Sequence, residues 1–330
     1  MVRVLAVVAV LVAGAAFVWR VSQEPVTKRA PRTVAPDPER MIAKRLPRDE
    51  QLRAEALPAV LEPLRALAVP KLPPEAGDWL AEHPEDGQSL AGHQADCQPV
   101  PGKVVYLVPI FPKQLQPGEV SEAKLRGVVG KLAPLLRAHF QLEVKVLAPL
   151  DEKKASKSER EGQIGRQWWT KDILEALLAV RPADAAAVMA VTAVDLYPDP
   201  TWNFVFGEAT YEQRVGVMSL ARTGDLETEP DLVLTRTYQT GMHEIGHMLQ
   251  MHHCIAWECP MNGCNHQDES DSRPLEPCPH CLAKLMRATG LDPMKRLVEL
   301  RAAFEEAGLL RGVDEIDKEL AAMRGAGDGG

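Results

Sequence analysis

The 330-residue chain has few aromatic residues, few cysteines and no surplus of positive charge. Aromatic side chains make up 5% of it, and 38 lysines and arginines stand against 46 aspartates and glutamates, a formal net charge of −8. Because no basic excess points to nucleic acid, we predict no nucleic-acid partner. With 45% apolar and 25% charged residues, the composition excludes wholesale disorder, a collagen-like fibre and a polytopic membrane protein.

Six cysteines are too few to hold a chain of this length together by disulfides. Their positions are more informative than their number. Cys97 stands alone, and the other five fall within 28 residues, at Cys254, Cys259, Cys264, Cys278 and Cys281. Clustering of this kind favours a metal site over a disulfide scaffold.

Residues 4–19 form an apolar stretch without a charged side chain. Its 16 residues lie between the core of a signal peptide and the roughly 17–25 residues of a transmembrane helix. We predict that residues 1–20 are a signal peptide or a signal anchor, so that the protein is membrane-associated or exported. The basic residues after residue 19 would keep the following chain in the cytoplasm, whereas cleavage would export it, and the side of the membrane stays open.

Residues 21–99 are rich in proline, since ten of the 27 prolines lie between Pro25 and Pro74. Repeated proline blocks long helices and sheet ladders, so we predict a tether, in which apolar patches near residues 52–67 form a docked helix. A catalytic domain is predicted over 100–290, and C-terminal helices with a tail over 291–330.

Within the predicted domain, short β-branched or alternating runs favour strands, and apolar residues at helical spacing favour helices. The apolar runs and strands lie at 104–108, 142–147, 185–194, 203–206 and 215–220. The helices lie at 121–140, 163–180, 235–250, 294–309 and 313–323. Strands that alternate with helices predict a mixed α and β domain.

The central motif is an H-E-x-x-H that spans His243, Glu244 and His247. On a helix, positions i and i+4 share a face, so both imidazoles can reach one metal ion with the carboxylate beside them. The alternative is an amphipathic helix with two surface histidines. The residues that follow the motif favour the metal site.

His253, ten residues after His243, is the predicted third ligand. In a continuous helix it would lie roughly 9 Å beyond His247 along the axis, at about 1.5 Å per residue. Ligand nitrogens around a tetrahedral zinc are only about 3–3.5 Å apart, so the helix must break between the two histidines. The known three-histidine motif has a glycine at this break. Here that residue is Gln250, and His252 is a competing third ligand.

Two cysteine pairs follow His253 directly: Cys254-x4-Cys259 and Cys278-x2-Cys281. Two such pairs can form a structural four-cysteine zinc site that leaves no open coordination position. Such a site would clamp the loop that carries His253 and make the missing glycine less damaging.

Several alternatives to this four-cysteine site stay open. The thiols could form two disulfides or remain as free buried groups. Cys264 is the spare thiol, but Cys259 and Cys264 are also a rival first pair. His280, between two of the predicted ligands, is a fallback metal ligand.

The pattern H-E-x-x-H-x-x-G-x-x-H-C-x4-C-x-M followed by C-x2-C resembles the archaemetzincins, a branch of the metzincin zinc peptidases. The match runs from His243 to Cys281, and Gln250 in place of the glycine is the departure. The segments 195–198, 204–209 and 219–222 also look like the strands before the zinc helix in that family. The resemblance covers roughly residues 100–290.

The resemblance implies a zincin-like fold of the α+β class, with a twisted mixed β-sheet, an active-site helix and a C-terminal subdomain held by the four-cysteine zinc. It implies two zinc ions per chain, the catalytic one bound by His243, His247 and His253. A zinc-activated water would attack the bonds of a peptide or protein substrate, with Glu244 as general base. Met261 would be the Met-turn residue beneath the zinc, and the activity could be that of an aminopeptidase.

Two other functions stay open on the sequence alone. One is a catalytically drifted, zinc-structured binding protein, which Gln250 favours and the intact Glu244 disfavours. The other is a scaffold in which only the four-cysteine site is occupied. Residues 214–220 are a candidate edge strand for a substrate peptide. Cys97 is either a thiol that blocks the zinc or a small buried hydrophobe.

Overall fold

The computed structural model of the protein describes residues 47–97, 100, 102–116 and 118–327. The predicted signal peptide or signal anchor at residues 1–20 lies outside the described residues, as does the first part of the proline-rich segment. Within the part of the chain that is described, no helix has the length and apolar character needed to cross a membrane.

The strands are β1 (Val104–Ile110), β2 (Glu143–Val146), β3 (Glu159–Gly162), β4 (Gly165–Trp169), β5 (Ala185–Thr192), β6 (Asp195–Tyr197), β7 (Gly207–Ala209) and β8 (Val215–Ser219). The main sheet is mixed and has the order β2-β1-β5-β8-β7. Its first four strands are parallel, and β7 runs antiparallel to β8 at one edge. Strands β3, β4 and β6 form a smaller sheet in that order.

The α-helices are α1 (Pro47–Arg53), α2 (Trp79–Glu82), α3 (Leu90–Asp96), α4 (Glu122–Phe140), α5 (Glu152–Ala155), α6 (Thr170–Val180), α7 (Pro230–Met248), α8 (Gln267–Asp271), α9 (Pro279–Thr289), α10 (Pro293–Ala307) and α11 (Leu310–Gly327). A 3-10 helix spans Ala59–Leu67. Helices and a mixed sheet confirm the predicted α+β class.

The central strand β5 is buried over all eight residues, as expected of a parallel strand covered on both faces. On one face, Met189 and Val191 belong to the hydrophobic cluster that includes buried residues of α4 and α7. On the other face, Val188 and Ala190 belong to the cluster that contains Trp168 and the apolar side of α6. The sheet is therefore a fixed base against which α7 is held.

Two predicted elements differ from the structure. The helix predicted at 163–180 begins only at Thr170, because strand β4 precedes it and pairs with β3 and β6. The strand predicted at 203–206 is wrong: Val205 forms only an isolated bridge, and the observed strand, β7, begins at Gly207. Both errors arise because pairing with segments distant in sequence decides the backbone here, and local patterns do not report it.

The described part of the proline-rich segment shares a core with the rest of the domain. Leu52, Leu57, Leu61 and Leu64 are buried in the same cluster as the apolar face of α7. The region in which a docked helix was predicted contains the end of α1 and the 3-10 helix. Residues 47–97 therefore pack against the functional part of the molecule.

His93 in α3 is one of the polar side chains buried by this packing, and its Nε2 lies 3.2 Å from the Leu249 carbonyl oxygen at the end of α7. Burial is the main cause that lowers the pKa of His93 to about 4; Lys284 and Arg287 contribute to the lowering, and the hydrogen bond to Leu249 and the charge of Asp96 oppose it. An unfolded histidine, with a pKa of about 6.5, binds a proton that the folded one does not. Stability must therefore fall as the pH falls from about 6.5 to about 4.

We predict that His93→Gln reduces this acid sensitivity. The wild-type free energy of unfolding should fall more steeply with acid than that of the variant, by up to about 1.4 kcal/mol per pH unit. Urea unfolding at several pH values between about 7 and about 5 measures both slopes. Equal slopes would show that His93 is not a buried neutral group.

Candidate active site

Helix α7 carries the H-E-x-x-H motif in its last two turns. Pro230 stands at the start of this helix, where its fixed φ and missing N–H are tolerated. The four-residue spacing places His243 and His247 on the same face, with their Nε2 atoms 3.0 Å apart. This separation matches two nitrogens on one tetrahedral ion.

The helix ends where the third ligand requires it to end. Gln250 has a φ of 64°, in the left-handed region that favours glycine. The Met251 N–H donates to the Gly246 carbonyl (3.0 Å), and the Gln250 N–H donates to the His247 carbonyl (2.8 Å). These are the two bonds of a Schellman motif, with glutamine in the usual glycine position. A non-glycine residue in this conformation costs roughly 1–2 kcal/mol, so other contacts must hold the turn.

The turn brings His253 back to the first two histidines. One ring nitrogen of each of His243, His247 and His253 lies within 4.8 Å of the other two. The ring centroid of His253 is 5.2 Å from that of His243 and 4.9 Å from that of His247. The rival third ligand, His252, instead packs on the ring of Tyr211 at 5.1 Å.

Each of the three imidazoles has an acceptor at its Nδ1 atom. The distances are 2.8 Å from His243 to the Pro260 carbonyl, 2.7 Å from His247 to the Met251 carbonyl, and 2.8 Å from His253 to Glu85 Oε1. Because a carbonyl oxygen only accepts, Nδ1 carries the hydrogen in His243 and His247, which leaves the Nε2 lone pair of each ring for a metal.

The protonation states of the histidines also suit a metal. Burial is the main cause that lowers the pKa of His247 to about 3 and that of His243 well below its ordinary value. Both rings are therefore neutral near pH 7, which is the form that binds metal. Three imidazole nitrogens with one side left open are the ligand set of a catalytic zinc.

Glu244 lies beside the three histidines and is almost fully buried. Burial, with a further contribution from Glu208, raises the pKa of Glu244 to about 8. The side chain packs against strand β7, where a Cβ atom added to Gly207 would lie 2.7 Å from Glu244 Oε1. Glycine at position 207 is therefore what allows the edge strand to run so close to the carboxylate.

The histidines and Glu244 line an open cleft of about 450 Å³. Its walls include the edge strand β7, Tyr211 and Arg273, and two tryptophans, Trp79 and Trp202, also line it. The predicted edge strand at 214–220 is wrong, because β8 is paired on both sides, with β5 and with β7. The strand with an open side next to the cleft is β7.

Met261 lies directly beneath the motif helix. It is buried, and a Cβ atom added to Gly246 would lie 2.5 Å from its sulfur. Its carbonyl accepts a hydrogen bond from the Cys254 N–H at 2.8 Å. The structure thus places Met261 against the motif helix at Gly246, between the two cysteine pairs in sequence.

Four of the five clustered cysteines meet in one buried group. The Sγ atoms of Cys254, Cys259, Cys278 and Cys281 lie within 4.8 Å of one another. The 3.8 Å between the Sγ atoms of Cys254 and Cys278 is far beyond the roughly 2.05 Å of a disulfide bond. Hydrogen bonds from the other three thiols hold the pKa of Cys254 well below its ordinary value, whereas burial raises the pKa of Cys278 and the bond to Cys254 raises that of Cys281.

The two rival ligands of this cluster have other partners. The Sγ atom of Cys264 lines the cleft and accepts a hydrogen bond from Arg273 (3.5 Å). The Nδ1 atom of His280 accepts from Trp257 Nε1 (3.1 Å), and its Nε2 lies 3.3 Å from the Glu55 carbonyl. The four-cysteine set therefore fits a tetrahedral zinc without either of them.

The loop between His253 and the cysteine cluster is held by two side chains that the sequence analysis missed. Asn262 accepts from the Cys259 N–H and donates to the Cys254 and Trp257 carbonyls. Arg273 donates to the Pro260 carbonyl, the same oxygen that faces His243 Nδ1. Neither residue belongs to a recognisable spacing, so no local signal could have identified them.

Cys97 is not placed where it could block the histidines. Its Sγ lies 3.8 Å from the Leu249 carbonyl, and the residue does not line the cleft.

A third group of metal-type side chains, Asp78, His266 and Glu269, lies nearby. The Glu269 carboxylate already accepts from the backbone N–H groups of Trp79 and Asn265, and its own N–H donates to His266 Nδ1. This group therefore joins α2 to α8 through its own hydrogen bonds.

Residues 176–287 match Peptidase family M54. The chain is 32% identical to archaemetzincin-2 of Mus musculus over 253 residues, which covers 66% of this chain and 70% of the relative. It is 33% identical to archaemetzincin-2 of Rattus norvegicus over 255 residues, with the same coverage. The crystal structure of archaemetzincin from Archaeoglobus fulgidus is similar, with 28% identity, a TM-score of 0.43, and coverage of 55% of this chain and 99% of that one.

The identity to archaemetzincin-2 extends over two thirds of both chains, and the family match includes the three histidines, Glu244 and the four cysteines. The chain therefore belongs to the archaemetzincin family of zinc metallopeptidases.

Proposed function

We propose that the protein hydrolyses peptide bonds at the cleft, with Glu244 as the proton-transferring residue and His243, His247 and His253 as the ligands of a catalytic zinc. The observation that carries the proposal is the convergence of three imidazoles next to a buried carboxyl in an open cleft. When bound, zinc supplies the activation of a water molecule and the polarisation of the scissile carbonyl.

Glu244 is suited to move a proton in both directions. A carboxyl group with a pKa of about 8 changes its protonation state near neutral pH. Such a group can first accept the proton of water as a general base and then deliver it to the leaving amine as a general acid. The contact with Gly207 fixes this side chain beside the edge strand that faces the cleft.

Two further elements support peptide binding at this site. The open side of β7 offers backbone groups to which an extended substrate can pair as an added strand. The partial burial of Tyr211 raises its pKa to about 12, so that its hydroxyl stays protonated and can donate a hydrogen bond. We assign to Tyr211 the stabilisation of negative charge on the substrate carbonyl.

We further propose that Cys254, Cys259, Cys278 and Cys281 bind a second, structural zinc. The support is their convergence within 4.8 Å and their burial. This second zinc would hold the loop that carries His253 and Met261.

Glu244→Gln tests the catalytic proposal. The variant removes the proton acceptor while it keeps the shape of the side chain, so peptide hydrolysis should fall by at least about a hundredfold. Zinc content should stay at about two ions per chain in both proteins, because Glu244 is not a ligand. The measurements are metal analysis and cleavage of a diverse peptide library.

Each outcome of this test separates the functions that the sequence left open. Two zinc ions without cleavage by either protein would favour a binding protein whose catalysis has drifted. One zinc ion per chain in the wild type would favour a scaffold with only the four-cysteine site occupied. Equal cleavage by both proteins would remove Glu244 from the mechanism.

We also propose that the enzyme is an aminopeptidase. Such an enzyme needs an acidic group in its cleft for the free α-amine of the substrate. Glu208, on β7, lines the cleft and bonds to Thr170 Oγ1, and its burial raises its pKa. A substrate ammonium beside this carboxyl would favour its ionised form and form a charge-assisted hydrogen bond.

Two substrates that differ only in acetylation of the N-terminus test this assignment. The unmodified peptide should be cleaved at least about tenfold faster, and Glu208→Gln should remove most of that difference. The value of kcat/KM for each pair measures the preference. Equal rates on both substrates in the wild type would show that the free amine is not recognised.

The location of the protein is proposed from the sequence alone. Residues 4–19 support a membrane-associated or exported enzyme, with residues 1–20 as the signal peptide or signal anchor.

A further inference from the structure

The segment between α2 and α3 contacts the part of the chain that carries the third histidine. It contains Glu85, Gly87 and Gln88, and it lies before the domain that the motif predicts. One of its side chains reaches the turn at Gln250, and another reaches the ring of His253. Neither contact could be expected from the motif.

Gln88 holds the backbone directly after the left-handed residue Gln250. Its Nε2 donates to the Gln250 carbonyl at 3.0 Å, and its Oε1 accepts from the His252 N–H at 3.2 Å. The side chain is buried, with 7% of its surface exposed, so water does not compete for these bonds. One amide group thus ties together the two peptide units that precede His253.

Glu85 holds the His253 ring itself. Its Oε1 and Oε2 lie 2.8 Å and 3.0 Å from His253 Nδ1, and Oε1 also accepts from Trp79 Nε1 at 2.9 Å. A carboxylate on Nδ1 fixes the ring orientation and directs the other nitrogen towards a metal. The Trp79 ring adds an edge contact to His253, with centroids 5.1 Å apart.

The segment is itself anchored, so it can act as a fixed support. Lys284 of α9 donates to the Gln88 carbonyl at 2.6 Å. Gly87 has a φ of 62°, and a Cβ atom there would lie 2.8 Å from Ile255, so only glycine allows this close approach. At the other end, the Trp79 N–H donates to the Glu269 carboxylate.

We propose that Glu85 and Gln88 are positioning residues for the third metal ligand. In this proposal the hydrogen bonds of Gln88 stabilise the left-handed turn that glycine adopts without support in the family motif. Gln88 keeps the chain turned at a position where glutamine is disfavoured, and Glu85 aligns the ring that the turn delivers. The inference rests on the proposed role of His253 as a zinc ligand.

The test uses the full-length chain and measures the zinc affinity of the histidine site by competition with a chromophoric chelator. The variants are Gln88→Ala, Glu85→Ala, Glu85→Gln and the double variant Gln88→Ala with Gln250→Gly. Gln94→Ala is the matched control, because Gln94 is an exposed glutamine on α3. Far-UV circular dichroism reports whether each variant is folded.

We expect Gln88→Ala and Glu85→Ala to weaken zinc binding at the histidine site by about 10–100-fold. Glu85→Gln should retain most of the affinity, since its amide oxygen accepts the same hydrogen bond. Adding Gln250→Gly to Gln88→Ala should restore most of the lost zinc affinity, because glycine adopts the left-handed turn without support. Gln94→Ala should match the wild type.

Other results would overturn the inference. If the wild type binds two zinc ions and both alanine variants bind the second as tightly as Gln94→Ala does, the segment does not position the ligand. If Gln250→Gly restores nothing to a folded Gln88→Ala protein, Gln88 does not replace the glycine. A wild type that binds no zinc at the histidines would instead refute the proposed function, and this inference with it.

Discussion

The left-handed backbone at Gln250 is the constraint on which the rest of the site depends. Helix α7 can present His243 and His247 by spacing alone, but a third imidazole reaches them only if the chain reverses within a few residues. Glutamine is disfavoured in that conformation. The turn has its own two Schellman hydrogen bonds, and the Gln88 amide supports it from outside, while Asn262 holds the loop that follows His253. The site is therefore built by the whole domain and not by the motif alone.

Burial sets the chemistry of the groups that the turn assembles. It keeps the pKa of His247 and His243 low, so their nitrogens are free for a metal at neutral pH. The same burial raises the pKa of Glu244 to about 8, where a carboxyl can both accept and release a proton. The same apolar environment thus lowers the pKa of the histidines and raises the pKa of the carboxyl, and both shifts suit hydrolysis.

The sequence predicts the residues that form the two candidate metal sites better than it predicts the residues and strands that hold them in place. The spacing of His243, His247 and His253, and of the two cysteine pairs, follows from ligand geometry, and the structure brings both groups together. Strand β4 and the edge position of β7 were missed because each depends on pairing with strands distant in sequence. Glu85 and Gln88 were missed for a related reason: they lie more than 160 residues before the histidine loop that they contact. Proline-rich composition predicted a tether there, and no local pattern reports that such a segment folds back.

A crystal structure of the zinc-loaded protein, with anomalous diffraction recorded at the zinc absorption edge, tests the central claim most directly. The account predicts two zinc peaks. One should be bonded to His243, His247 and His253 through Nε2, with Glu85 on His253 Nδ1 and Gln250 in the left-handed conformation. The other should lie among the sulfur atoms of Cys254, Cys259, Cys278 and Cys281. A zinc bound by the two motif histidines alone, or by His252 in place of His253, would contradict the account.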